Sequence, residues 1–236
     1  MSSFALFIPE RIIKSFTWGM INIHPSLLPK YRGPSPIQSA ILAGEERFGV
    51  SIIDLHPKTI DAGHIVAATD AVTLPTSLFY PEIEARLAEM GGELAAAVVN
   101  DWDRFWPQRT AQTQAGASHT RKFENADGIV SFGLMTSVEI WNIFRALGHQ
   151  LSIKVRLTGQ NRWVFLEDPV LGPAEPMSGP PGSTRYCRPI LWVKARDGHA
   201  VGFKQFKLEG KSSIFPAGSF CANFLAKYSV HDPCFQ

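Results

Sequence analysis

Strand, proline-rich loop and helix are compressed into the stretch from Gly19 to Gly44, and this compression limits what the rest of the chain can build around it. Gly19-Met20-Ile21-Asn22-Ile23-His24 reads as a short buried strand entered through a glycine turn. Pro25 to Gly33 is loop, and Pro34 to Ala43 is a helix with Ile37, Ile41 and Leu42 on one side and Gly44 as its stop. Asn22 and His24 are two apart on the strand, so they share a side. At the carboxyl end of a strand in an open α/β sheet, that side faces ligands.

Downstream, Phe48 to Leu55 is a β-branched strand, Thr59 to Gly63 a turn and His64 to Thr73 a third strand. Ser77 to Phe105 is the longest helical pattern, with Pro81 near its start and Ile83, Leu87, Met90, Leu94 and Val98 at helical spacing. Gly91-Gly92 weakens its middle. After Pro107 the composition turns small and polar, and 108–118 reads as a linker. Thr136 to Leu147 is then a helix with a capping box, Thr136 and Glu139. Ser152 to Leu157 alternates as a half-exposed strand, Arg162 to Leu166 follows it, and 168–183 is a loop rich in Pro and Gly. Ile190 to Ala195 and Ala200 to Leu208 form a hairpin around Asp197-Gly198. The expected organisation is an α/β domain over 1–107, the linker over 108–118, and a β-rich domain over 119–236.

Composition removes several function classes. A net charge of +2 over 236 residues gives no general affinity for polyanions, so any such partner must meet local patches. Cys187, Cys221 and Cys234 have no metal or redox spacing, which fits a reducing compartment and no bound metal. No apolar run reaches bilayer length, and no secretory signal opens the chain. Arg11 and Lys14 among Phe4, Phe7, Ile12, Ile13 and Phe16 have the flavour of a transit peptide, but Glu10 and the two-sided apolar pattern favour folded structure.

An amide beside an imidazole suits one task. Both donate hydrogen bonds to an oxygen that becomes negative during acyl transfer, and the imidazole moves protons between the reacting groups. Such a histidine wants a carboxylate partner. Asp61, in Ile60-Asp61-Ala62-Gly63, is the best candidate, although an Asp after a strand is more often a turn former. Asp54, His56 and His64 could supply a different dyad, and their spacing matches no metal signature.

Asn22-Ile23-His24-Pro25-Ser26-Leu27-Leu28-Pro29, Arg32-Gly33, Pro36-Ile37-Gln38 and Asp61-Ala62-Gly63 together resemble the folate-dependent formyltransferases. Within that family, Pro36-Ile37-Gln38 is similar to the members that act on methionyl-tRNA. The resemblance implies a Rossmann-like formyltransferase domain, present here in part, followed by a C-terminal OB-like β-barrel. It carries the family's catalytic triad onto Asn22, His24 and Asp61. It implies 10-formyltetrahydrofolate as co-substrate and the amino group of initiator Met-tRNA as acceptor. Ala5, Leu6, Phe7 and Ile8 align with the strand lining the family's folate pocket, and Ser26, Leu27, Leu28 and Pro29 with the loop beside the formyl group.

More weakly, Lys122, Phe144-Arg145-Ala146 and Leu208-Glu209-Gly210-Lys211 are similar to the tRNA-directed members' C-terminal domain. Arg32, Lys122, Lys154, Arg156, Lys207 and Lys211 are the candidate tRNA-binding residues. Gly148-His149-Gln150 stands where many relatives have Pro-Trp-Pro. Few residues precede the pocket strand, so most of the family's N-terminal half is expected to be missing. The implied setting is organellar translation initiation, hence a mitochondrial monomer with no membrane partner. A formyltransferase for another amine, such as a nucleotide sugar, is the alternative within the same chemistry. A non-catalytic remnant binding tRNA or protein is the alternative outside it.

Overall fold

The computed structural model describes residues 8–159, 162–172, 175–225 and Phe235. Two compact units divide the chain between Phe123 and Glu124. In chain order the first contains α1 (Glu10–Ile13), β1 (Ile21–His24), α2 (Pro36–Leu42), β2 (Arg47–Phe48), β3 (Ser51–Asp54), β4 (Ile65–Ala68), β5 (Val72–Thr73), α3 (Tyr80–Asn100) and α4 (Trp102–Phe105).

Its main sheet runs β1-β3-β4, with Asn22 opposite Ile53 and His24 opposite Ser51. Ile52 and Val66 from this sheet and Val98 from α3 form a buried cluster, and Ile21 and Ile23 pack against it. Because side chains alternate along a strand, Asn22 and His24 project from the opposite face of β1. α3 lies across β1, β3 and β4. At Gly91 the approach is tight: an added Cβ would stand 2.9 Å from a methyl of Ile23.

Three elements of the first unit differ from the sequence expectation, and in the second unit the strand Trp163–Leu171 runs into the stretch expected as loop. The strand expected over 48–55 is interrupted at Gly49, where a Cβ would meet the Leu27 side chain at 2.6 Å. The loop after β1 therefore leans on this backbone. The strand expected over 64–73 is split because Thr69 turns its hydroxyl onto the Val50 N–H, 3.0 Å away, after which β5 pairs with β2 instead. The long helix starts at Tyr80, and Asp101 (φ −131°, ψ 49°) separates it from α4. The stretch with a linker's composition, 108–118, is bound into the first unit. Thr110 exchanges backbone hydrogen bonds with Ile65, and Ser118 bonds the backbone of Pro29 and Arg32. Every pairing between the named strands is antiparallel, so the parallel crossovers of a Rossmann-like sheet are not among them; only isolated bridges, Arg32 to His119 and Ile129 to Lys154, run parallel among the described residues.

The second unit holds α5 (Ser137–Leu147), β6 (Lys154–Arg156), β7 (Trp163–Leu171), β8 (Thr184–Cys187), β9 (Ile190–Lys194), β10 (Ala200–Leu208), β11 (Ile214–Pro216) and α6 (Ala217–Phe220). α5 opens with the expected capping box. The Thr136 hydroxyl accepts from the Glu139 N–H, and the Glu139 carboxylate accepts from the Thr136 N–H. Phe132, Phe203, Phe206, Phe220 and Phe235 are fully buried, and the rings of Phe206 and Phe220 stack 4.4 Å apart.

The strands follow the path β6-β7-β10-β9-β8, with β11 on β10. The pairings do not close the expected barrel: β6 and β8 end the path, and among the described residues no pairing joins them. The outer edge of β6 is already taken, since Ile129 bridges Lys154 and the Val130 N–H donates to the Lys154 carbonyl.

The two adjacent glycines of α3 separate packing from helix propensity. Gly92 has open space around it, so Gly92→Ala should stabilise the protein by about 1 kcal/mol, the propensity difference. At Gly91 the same methyl must push Ile23 or the helix aside, at about 1–3 kcal/mol, which outweighs the propensity gain. Thermal melts should move in opposite directions for the two variants.

Candidate functional site

Asp61 sits in the loop between β3 and β4 with φ +51°, a left-handed conformation that Asp tolerates better than most residues. The sharp turn continues at Gly63, where a Cβ would fall 1.8 Å from the Asp54 carbonyl oxygen. Only glycine allows that approach. The turn is tied at its base by Asp54, whose carboxylate accepts from the His64 N–H (2.6 Å) and faces His64 Nδ1 (3.0 Å). Arg109, stacked over the Trp106 ring, adds a cation 3.4 Å from the same carboxylate. The alternative residues Asp54 and His64 are thus a clamp for the loop. His56 accepts the N–H groups of Lys58 and Thr59 and shapes its outer turn.

The turn brings the Asp61 carboxylate over the polar face of β1. Oδ1 accepts from Asn22 Nδ2 at 3.3 Å, and Oδ2 accepts from the Gly33 N–H at 2.8 Å. His24 Nδ1 lies 3.6 Å from Oδ2, with the two side chains 5% and 12% exposed. On the other edge of the ring, Nε2 is 2.9 Å from the Tyr31 carbonyl. A carbonyl only accepts, so Nε2 carries the hydrogen in that contact. The three residues expected from sequence are brought together in one nearly dry place.

The loop after β1 is fastened from several sides. Tyr31 has φ +61°, its N–H donates to the Ser118 hydroxyl, and its own hydroxyl donates to Glu45. Burial, with the hydrogen bond to Glu45 second, pushes the Tyr31 phenol up to about 12. The hydrogen bond from Lys30 holds the Glu45 carboxyl below its usual range. Ser26 and Leu28 are buried: the Ser26 hydroxyl donates to the Lys30 carbonyl, and the Leu28 N–H to Ser51. Leu27 packs at Gly49, and the Pro29 carbonyl accepts from Ser118. Ser26 to Pro29 thus shape this loop. Ile8 is half-buried, while Ala5, Leu6 and Phe7 lie outside the described residues.

The expectation for Arg32 is corrected. It is 3% exposed and turned inward, with Nε on Gln112 (2.9 Å) and Nη1 on Gln114 (3.4 Å), so it has no open surface on which to meet RNA. Gln112 escapes a reading of the sequence because it lies in the apparent linker, yet it donates to the Asp61 and Gly63 carbonyls at 2.8 Å each. The available signal is the alternation of Gln112 and Gln114 in an otherwise small-residue stretch.

Lys122 and Lys211 are exposed. Lys154 and Arg156 project from one face of β6 and lie over the Trp163 ring at 5.1 and 4.3 Å. Lys207 shares that face, since Phe165 is paired with both Lys154 and Lys207. Among the described residues no group of three or more His, Cys, Asp or Glu could hold a metal, and no helix is long and apolar enough to cross a membrane.

Chemically, the triad offers an amide donor, an imidazole and a buried carboxylate around one point. That is the equipment for stabilising an oxyanion while moving a proton.

Residues 1–99 match the family model described as formyl transferase. The mitochondrial methionyl-tRNA formyltransferase of Homo sapiens is 29% identical over 154 residues, which is 65% of this chain and 39% of that protein. The methionyl-tRNA formyltransferase of Herpetosiphon aurantiacus is 40% identical over 116 residues, 49% of this chain and 37% of the bacterial one. The chain therefore spans about two fifths of the length of the curated relatives it matches. Among solved structures, HypX from Aquifex aeolicus in complex with tetrahydrofolic acid superposes with a TM-score of 0.69 at 20% identity, over 96% of this chain and 38% of that one. At that identity the match speaks for the fold.

The close approach at Gly63 is testable without any substrate. Gly63→Ala must move the turn away from Asp54, and a loss of about 1–3 kcal/mol is expected by chemical denaturation.

Proposed function

We propose, on the premise that the chain is a member of the formyl transferase family through residues 1–99, that it transfers a formyl group from 10-formyltetrahydrofolate to the amino group of Met-tRNA. The observation carrying this reading is the convergence of Asn22, His24 and Asp61 in a buried site at 3.3 and 3.6 Å. The methionyl-tRNA formyltransferases among its relatives supply the acceptor, and the mitochondrial ones supply the compartment, translation initiation in mitochondria.

The lone pair of the acceptor amine attacks the formyl carbon, and the carbonyl electrons move onto its oxygen. Asn22 carries two amide hydrogens; one serves Asp61 and the other can meet the oxyanion. His24, as imidazolium, adds a second donor, with the Asp61 carboxylate balancing its charge. The attacking nitrogen, now cationic, gives up a proton by way of Asp61 and His24. The bond from carbon to the folate nitrogen then breaks, and that nitrogen leaves with a proton. Removing bulk water from the site strengthens each of these interactions.

In the same reading the second unit is an OB-like RNA-binding module. Lys154, Arg156 and Lys207 would meet phosphates from a face that also presents Trp163 and Phe165, a combination suited to nucleic acid because cations fix the backbone and rings offer stacking. Exposed Lys122 and Lys211 would add charge.

Purified protein mixed with 10-formyltetrahydrofolate and charged initiator tRNA should yield formyl-methionine. His24→Ala should lower the rate by about 10²–10⁴-fold, and Asn22→Ala by about 10²–10³-fold. Undiminished product from His24→Ala removes the triad from the mechanism. Formylation of a nucleotide-sugar amine in place of Met-tRNA overturns the acceptor.

The RNA reading has its own measurement. The double variant Lys154→Glu, Arg156→Glu should weaken filter retention of tRNA, and the slope of log affinity against log salt should fall by about 1 for each phosphate that is no longer neutralised. An unchanged slope excludes this face.

A further inference from the structure

We propose that Gln112 and Arg32 are positioning residues that hold the Asp61 carboxylate in register with His24, a reading that rests on the catalytic role given to that pair. Asp61 is held in a left-handed conformation at a turn that has no strand pairing of its own. Beyond the Asp54 clamp at its base, a side-chain amide holds this turn: Gln112 Nε2 bonds the Asp61 and Gly63 carbonyls, both at 2.8 Å. An amide free to rotate could not hold two carbonyls on its own. Arg32 removes that freedom, because Nε takes the amide oxygen of Gln112 at 2.9 Å and fixes which end of the amide points at the turn.

The same Arg32 backbone closes the circuit. Its N–H donates to the Ser118 carbonyl and its carbonyl accepts from the Thr120 N–H. The next residue, Gly33, then donates its N–H to Asp61 Oδ2. The Asp61 turn is therefore gripped at its main chain by Gln112 and at its side chain by Gly33, and Arg32 sets both.

The arrangement is expensive for packing alone. Arg32 is 3% exposed, and its Nη2 is buried with no hydrogen-bond partner among the described residues. A buried donor left unpaired destabilises the fold. Apolar side chains of similar volume would fill the space without that penalty. What Arg32 adds is direction: a planar fork fixes the orientation of Gln112 as a methyl group or a lysine cannot.

Gln112→Glu separates direction from volume. It has nearly the same shape and keeps a partner for Arg32, but it has no hydrogen to donate to the two carbonyls. With wild type active, kcat should fall on the order of ten-fold or more, the scale of lost supporting hydrogen bonds around a site, with KM within about two-fold. In the full chain labelled with ¹⁵N-histidine, and without substrate, the His24 ring signals, assigned with His24→Ala, should shift away from wild type. Arg32→Lys, which keeps the charge and loses the fork, should shift them the same way and carries the reading if Gln112→Glu does not fold.

Unmoved His24 signals in both variants overturn the proposal, whatever happens to kcat, because the effect then bypasses the pair. Shifted signals in a protein whose wild type forms no formyl-methionine count against formyl transfer and for the relay. An unchanged kcat beside an active wild type overturns the relay.

Discussion

A carboxylate taken out of water must be given partners, and most of the first unit's irregular chain is arranged around that requirement at Asp61. An unpaired buried charge costs several kcal/mol, far more than any single hydrogen bond returns. Asp61 is supplied from three directions: the Gly33 N–H, the Asn22 amide and the imidazole of His24. These groups come from β1 and the loop after it, 28 to 39 residues before Asp61, so that loop and the β3–β4 loop must both reach their places before the charge is satisfied. The unusual backbone conformations of Tyr31 and Asp61 fall inside this set, as strain does where surrounding contacts over-determine it.

The sheet makes this possible by being two-faced. Ile21 and Ile23 pack against the buried cluster of Ile52, Val66 and, from α3, Val98, and the alternation of the strand then delivers Asn22 and His24 to the opposite side as a fixed pair. Gly91 lets the helix come close enough to lock Ile23. Core packing and site geometry are therefore one constraint: a shift of β1 by one residue would exchange the two faces and send His24 into the helix.

The elements legible in the sequence are those governed by local rules. β1, α2, the capping box at Thr136 and the hairpin turn at Asp197-Gly198 follow from periodicity and turn chemistry, and they stand where expected. Asn22, His24 and Asp61 are singled out by residue types and by the family pattern they resemble, and the structure brings their side chains together. What the sequence hides is set by partners distant along the chain. The alternation of Gln112 and Gln114 does not say which backbone Gln112 will bond, and small polar composition looks the same in a tether as in a strap. Arg32 misleads because charge argues for the surface, whereas its neighbours in space, Gln112 and Gln114, draw it inward. The barrel is an inference from family pattern, while the edge of β6 is filled by Ile129 and Val130, a pairing between segments with no strand pattern of their own.

Under the proposed formyl transfer, hydrogen-bond capacity says how the site would meet an oxyanion. His24 has a carbonyl acceptor at Nε2 and a carboxylate facing Nδ1. Neutral imidazole has one hydrogen and can serve only one of them; imidazolium serves both. An oxyanion arriving at the ring competes with the Tyr31 carbonyl for the Nε2 hydrogen, and a full negative charge wins that contest over a neutral carbonyl. Asn22 needs no such exchange, because one of its hydrogens suffices for Asp61. The amide is thus the donor already in place, and the imidazole the donor that must be shared, with the fastening of Tyr31 to Ser118 and Glu45 setting how readily its carbonyl yields.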